Sequence, residues 1–386
     1  MARWLLAVLF VLQIDDPGVA RRVAVAGRIH ELIQQYFAHW EGAPREDVER
    51  AYQDYVARLA HTSDRHTFDL ATLRFIAALH NGHTQFFDDR ADDRPLKFRL
   101  LEVENQWVVV GSQTSSLPRG TIVRTIDGRP VADVVRDSSQ YVAASNDRLA
   151  QTLVFDYPLL FPERISVGLT NGGVVVIDKS VKPDAPISFP SASEGKWLEE
   201  PGIAYIRVPS FGNPAYEQTA VELVRRFSSS PNLIVDVRFN GGGTTPLQLI
   251  AALVNKPWRT WQGWANRESR EQSPAANAYS GHLFILADRF CQSACEDFVM
   301  PFKDTRRGVV IGETTTGSSG NPYREELGDG MRVRIGAMRY RFPDGRPFEG
   351  IGIEPDVEVP RTVADLRSGR DAILERALTL ARATPQ

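Results

Sequence analysis

The chain is poor in several residues whose scarcity narrows its chemistry. There are two cysteines, Cys291 and Cys295, in 386 residues. That is too few for a disulfide framework, and they read most simply as small apolar side chains; a cysteine nucleophile is a weaker reading, since neither occupies the favoured turn position. No CxxC pair, HExxH helix or Cys/His cluster offers a metal site. Glycine-rich phosphate loops of the GxxxxGK[ST] or GxGxxG kind are missing, so neither a nucleotide nor a metal cofactor is expected. Lysine occurs only at 97, 179, 182, 196, 256 and 303, the rest of the basic charge being arginine. Net charge is −3, which gives no basic footprint for nucleic acid or anionic lipid. The apolar run Trp4–Leu12 behind Arg3 is too short to span a bilayer. It reads as a secretory signal ending near Gly18-Val19-Ala20, so residues 1–20 point to export, with a buried first element as the alternative.

What is present divides the chain into blocks. Residues 21–95 have helical periodicity, with Val23, Ala26, Ile29, Ile33 and Phe37 on one stripe. Asn81-Gly82 ends the block's helices, and the segment reads NGHT. From residue 96 to about 185 the period changes to that of strands, with tight turns at Asp127-Gly128 and Asn171-Gly172-Gly173. The polar stretch PSASEGKWLEEPG marks a boundary. Beyond it, to residue 386, strands alternate with helices, which implies a mostly parallel sheet covered by helices. Ligand sites in such sheets lie at the carboxyl ends of the strands. The expected fold class is therefore multidomain α/β, with a helical N-terminal region and a β-rich middle domain.

Four short segments could carry chemistry. DVRFNGGGTTP follows a buried strand, and its glycines free backbone N–H groups to face a ligand, or simply make a tight turn. DRFCQSACEDF has a strand–turn–helix context, with Ser293 at the entry of the helix. Ser293 and Glu296 form S-x-x-E, a capping box, and capping outweighs catalysis for a serine standing alone. His83 is in a turn after a helix, where an imidazole is either solvated or delivered into a cleft. Glu349 lies beside a bend in RPFEGIGIEPDVEVP, where a surface acid is the ordinary reading.

Together and in this order, NGHT, YIRVPSF, DVRFNGGG, CQSACEDF, VVIGETTTG and FEGIGIEPDVEV resemble the C-terminal processing (tail-specific) peptidase family, which also includes the core of the tricorn protease. The resemblance implies a serine peptidase with a crotonase-like α/β core. It is commonly accompanied by a PDZ domain, and RGTIVRTIDGRPVADV in the middle block resembles such a domain. It implies Ser293 as nucleophile, with the Ala294 amide and that of Gly241 or Gly242 as oxyanion donors. Members that use a Ser–Lys dyad carry lysine where Ser318 stands here, so a lysine base is not expected. The tricorn-like branch implies His83 as base and Glu349 as its partner. Gly82 replaces that branch's second serine, so the fourth member of its tetrad is missing. The expected substrates are peptides or proteins, with a chain terminus docked on the PDZ-like domain. The rival readings are a binder that kept the fold without catalysis, and an ester or acyl hydrolase using the same residues.

Overall fold

The computed structural model describes residues 17–62, 64–184, 190–259 and 270–384. The apolar run Trp4–Leu12 lies outside them, while Gly18–Ala20 falls in the first turns of a helix, Pro17–Tyr36. Among the described residues no helix is long and apolar enough to cross a membrane.

The C-terminal half is built on a six-stranded sheet. Its order is Val357–Glu358, Val309–Gly312, His282–Ala287, Asn232–Asp236, Ile203–Arg207, Glu194–Glu199. All pairs are parallel except the last, Glu194–Glu199 on Ile203–Arg207. The near-continuous apolar run of the central strand is explained by burial on both faces. Leu233 and Val235 join the core beneath the helices Pro214–Arg226, Leu247–Leu253 and Ala294–Thr305. Ile234 points the other way, into the core under Ala372–Ala383. Each buried aliphatic side chain of this kind contributes about 1.5–3 kcal/mol.

Residues 98–178 form an antiparallel sheet, ordered Phe98–Val103, Gln106–Ser112, Ile122–Ile126, Arg164–Leu169, Val174–Asp178, with helices Val131–Ser139 and Asp147–Leu153 beside it. The first two strands turn through Glu104-Asn105, both with positive φ, as a tight hairpin turn requires.

The N-terminal helices Pro17–Tyr36, Arg45–Leu59 and Arg65–Ala77 share one core. The block is not wholly helical as its periodicity suggests. Gln85–Asp88 is a strand that pairs antiparallel with Met331–Gly336, itself paired with Pro322–Gly328. The hairpin thus belongs by sequence to the C-terminal half, yet Met331, Val333 and Ile335 are buried among the N-terminal helices. This pairing places the NGHT segment, which ends directly before Gln85, against the C-terminal half.

Candidate active site

The nucleophile candidate is held at a strained turn. Ser293 has φ 57 and ψ −123, a left-handed backbone that a non-glycine residue adopts only when its surroundings enforce it. The enforcing contacts are its amide's bonds to Ser318 O at 3.0 Å and Glu296 Oε2 at 3.2 Å. The second of these is the glutamate half of the capping box read from S-x-x-E. The serine hydroxyl itself faces the imidazole: Ser293 Oγ is 3.1 Å from His83 Nε2, across 210 residues of sequence. Ala294 opens a helix of twelve residues, so the hydroxyl sits at the positive end of its dipole.

Glu296 anchors the turn. Thr315 Oγ1 and Gly317 N–H donate to Oε1 at 2.6 and 2.7 Å, and Ser318 N–H donates to Oε2 at 3.0 Å. With Ser293 N–H, four donors converge on two oxygens, an arrangement suited to a carboxylate, while burial pushes its pKa up to about 8. The two cysteines are fully buried, as expected of apolar side chains, but they are also joined by a disulfide across the helix entry, which corrects the expectation that they stand apart.

The glycine run closes one side of the turn. Gly242 has φ 97, and a side chain there would meet Ser293 Cβ at 2.8 Å and Ala294 N at 3.0 Å. The Gly242 amide is already committed to Asn240 Oδ1 at 2.9 Å. Among the described residues, no backbone acceptor takes the amides of Gly241 or Ala294.

His83 is partly buried, and desolvation is the main cause that pushes its pKa down to about 4; the positive charges of Arg334 and Arg324 act in the same direction. It is therefore neutral across the physiological range. Its Nδ1 is 2.9 Å from Ser318 Oγ. Asn81 sets the turn, accepting from His83 N–H at 3.2 Å and from Thr84 Oγ1 at 2.9 Å. Asn81 Nδ2 in turn donates to Glu349 Oε1 at 2.6 Å.

Glu349 lies behind this pair. Its Oε1 also accepts from Ser145 Oγ at 2.5 Å, and Ser145 Oγ accepts the Gly82 amide at 2.9 Å. Burial pushes the Glu349 pKa up to about 8, against the pull of donors that include Ser145, Ser319, Asn81 and Ser318. Oε2 has no partner of ordinary hydrogen-bond geometry. The structure thus brings Ser293 and His83 into direct contact and sets Glu349 one residue further back. Ser145, Asn81 and the imidazole contact of Ser318 were not anticipated. Ser145 comes from the middle block, where only its neighbour Asn146, capping Asp147–Leu153, carries a sequence signal.

With this geometry in place, known proteins can be compared. Residues 202–359 match the model of Peptidase family S41. The match covers less than half of the chain, and that segment is similar to the family. The putative tricorn protease homolog 2 of Streptomyces coelicolor is 34% identical over 180 residues, covering 46% of this chain and 15% of that protein. The chloroplastic C-terminal processing peptidase of Tetradesmus obliquus is 30% identical over 166 residues, covering 41% of this chain and 35% of that protein. The chain thus spans a small part of the length of the curated relatives it matches. The solved structure of mature CPAF complexed with lactacystin aligns with a TM-score of 0.75 at 14% identity, covering 95% of this chain and 98% of that one. At that identity the likeness concerns the fold, and it extends well beyond the S41 segment into the helical and antiparallel regions.

Proposed function

We propose that the chain is a serine peptidase that hydrolyses peptide bonds through an acyl-enzyme on Ser293. The observation that carries this reading is the contact of 3.1 Å between Ser293 Oγ and His83 Nε2. A serine hydroxyl is protonated at neutral pH and needs a base at hydrogen-bond distance. His83, kept neutral by burial, takes the Ser293 proton as Oγ attacks the scissile carbonyl carbon. The carbonyl oxygen becomes an oxyanion, and the amides of Gly241 and Ala294 receive it. Gly242 keeps a side chain out of the same space. Preorganised donors of this kind each contribute about 3 kcal/mol to the transition state.

Collapse of the tetrahedral intermediate breaks the C–N bond, and His83 returns its proton to the leaving amine. A water then attacks the acyl-enzyme, giving its proton to His83, which passes it back to Ser293 as the carboxylate product leaves. Glu349 acts from behind, bound to the Asn81 side chain that holds the His83 backbone. A lysine base has no support, because Ser318 occupies that position. Peptide or protein chains are the substrates, with an extended tail docking on an exposed edge of the middle sheet. Export rests on residues 1–20.

A fluorophosphonate probe tests the reading. It should label the native chain and leave Ser293→Ala unlabelled, while His83→Ala should lose at least about 10⁴-fold in kcat/KM on a peptide. Equal labelling of Ser293→Ala would rule the nucleophile out. Turnover of simple esters without any peptide cleavage would replace the peptidase with an acyl hydrolase.

A further inference from the structure

The mechanism above leaves one buried hydroxyl without a role. Ser318 is fully buried, and its Oγ lies 2.9 Å from His83 Nδ1. No carboxylate makes that contact: Glu349 Oε1 is taken by Asn81 and Ser145. Yet for Nε2 to accept the Ser293 proton, a neutral imidazole must carry its own proton on Nδ1. That proton needs an acceptor, and the Ser318 hydroxyl is the one in place. A hydroxyl accepts and donates at once, so it can stand between an imidazole and a carboxyl group that do not touch.

Two further observations point the same way. The backbone of Ser318 is fixed at both ends, its N–H on Glu296 Oε2 at 3.0 Å and its C=O on Ser293 N–H at 3.0 Å. One residue therefore sets the position of both the imidazole and the nucleophile's amide. The other observation is at Gly82. A Cβ there would lie 2.7 Å from Ser318 Oγ and 3.2 Å from Ser145 Oγ. Gly82 does not have positive φ, so its backbone does not demand glycine. The space beside it does, because it is filled by the hydroxyl that reaches Nδ1.

Resting on the Ser293–His83 reading, we infer that Ser318 is the positioning residue of the base. Its hydroxyl accepts the Nδ1 proton and selects the tautomer with a bare Nε2, and Gly82 is required to leave room for it. The inference makes positions 82 and 318 interdependent: a side chain is tolerated at one only when the other is cut back.

The test uses the full chain labelled with ¹⁵N-histidine. Seven rings contribute, and the His83 signals are assigned by their loss in His83→Gln. In the native protein Nδ1 should be the protonated nitrogen; in Ser318→Ala the two tautomers should mix, with the His39 signals unchanged as a check on the fold. Ser318→Ala should lower kcat about 10²-fold with KM little changed. Gly82→Ser alone should also be impaired, because its side chain strikes Ser318 Oγ. Combined, Gly82→Ser with Ser318→Ala restores a hydroxyl to the same space and should recover at least tenfold of the lost rate. A single protonated Nδ1 retained in Ser318→Ala, or losses of the two variants that simply multiply, would overturn the inference. The tautomer is read without turnover, so this failure is distinct from that of the peptidase reading, which shows as absent labelling of the native Ser293.

Discussion

The two halves of the Ser293–His83 pair are built in opposite ways. The serine half is local. Strand His282–Ala287, the turn, the disulfide and helix Ala294–Thr305 follow within two dozen residues, and the helix entry supplies the charge and the Ala294 amide, while the Gly241 amide comes from the neighbouring strand's end. The histidine half is assembled from a distance. His83 is held through Asn81, Ser145, Ser318 and Glu349, and by the pairing of Gln85–Asp88 with Met331–Gly336. The lesson is that the proposed nucleophile comes with the sheet, whereas the proposed base depends on tertiary contacts between three parts of the chain. Substitutions in the first half should therefore act mainly on rate, and those in the second on rate and stability together.

The largest effect on rate that sharpens this contrast is expected at the glycine run. Gly242→Ala pushes a methyl group against Ser293 Cβ and Ala294 N. Steady-state kinetics should show kcat lowered by about 10²–10³-fold, the scale of a lost oxyanion donor, with the protein still folded. Asn81→Ala probes the other half. It unties the His83 amide and removes a donor from buried Glu349, so we expect about tenfold lower kcat/KM and a denaturation midpoint shifted by about 1–3 kcal/mol. If Asn81→Ala changed rate without changing stability, the proposed contrast would fail.

Acid and alkali should separate the halves next. Burial pushes His83 and His39 from 6.5 down to about 4. Between those values the unfolded chain takes up protons that the folded one refuses. The stability these histidines contribute is present above pH 6.5 and is lost as pH falls through the window. Glu349 is pushed from 4.5 up to about 8, so the folded chain holds a proton that the unfolded one releases. Its contribution is present below 4.5 and is lost as pH rises toward 8. Together these groups favour greatest stability near pH 6.5, and Glu349→Gln should flatten the alkaline side in a thermal-melt series. The acid limb of kcat/KM should lie nearer pH 4 than the 6.5 of an ordinary imidazole. The smallest effect on rate belongs to the disulfide. Replacing Cys291 and Cys295 with alanine opens a five-residue loop, which should cost about 2 kcal/mol while leaving Ser293 labelling intact.

Much of this was legible from the sequence, for identifiable reasons. The parallel core announced itself because strands buried on both faces are apolar throughout, as in LIVDV. Ser293, His83 and Glu349 were each unremarkable alone, and only the resemblance of their segments, taken together and in order, to the tail-specific peptidases singled them out. Other parts left no trace. Gln85–Asp88 is four residues long and follows helices, so its pairing is visible only with its partner hairpin in place. In that hairpin, Arg324, Glu326, Arg332 and Arg334 break the apolar pattern. Ser145 and Asn81 act through single hydrogen bonds to residues more than two hundred positions away, and no periodicity records such a bond. Ser318 was noticed as a place where lysine was missing, and its contact with the imidazole needed coordinates. The cysteine pair was hidden because burial suits a thiol and a disulfide equally.

The hairpin Pro322–Gly328 and Met331–Gly336 bears on when the chain becomes competent. Until those strands exist, Gln85–Asp88 has nothing to pair with, and the imidazole two residues upstream of it has no fixed address. A nascent polypeptide that has already made its hydroxyl is still unarmed during synthesis, and a product truncated before Met331 stays so. The fold thereby ties the placing of the imidazole to a hairpin made after the serine.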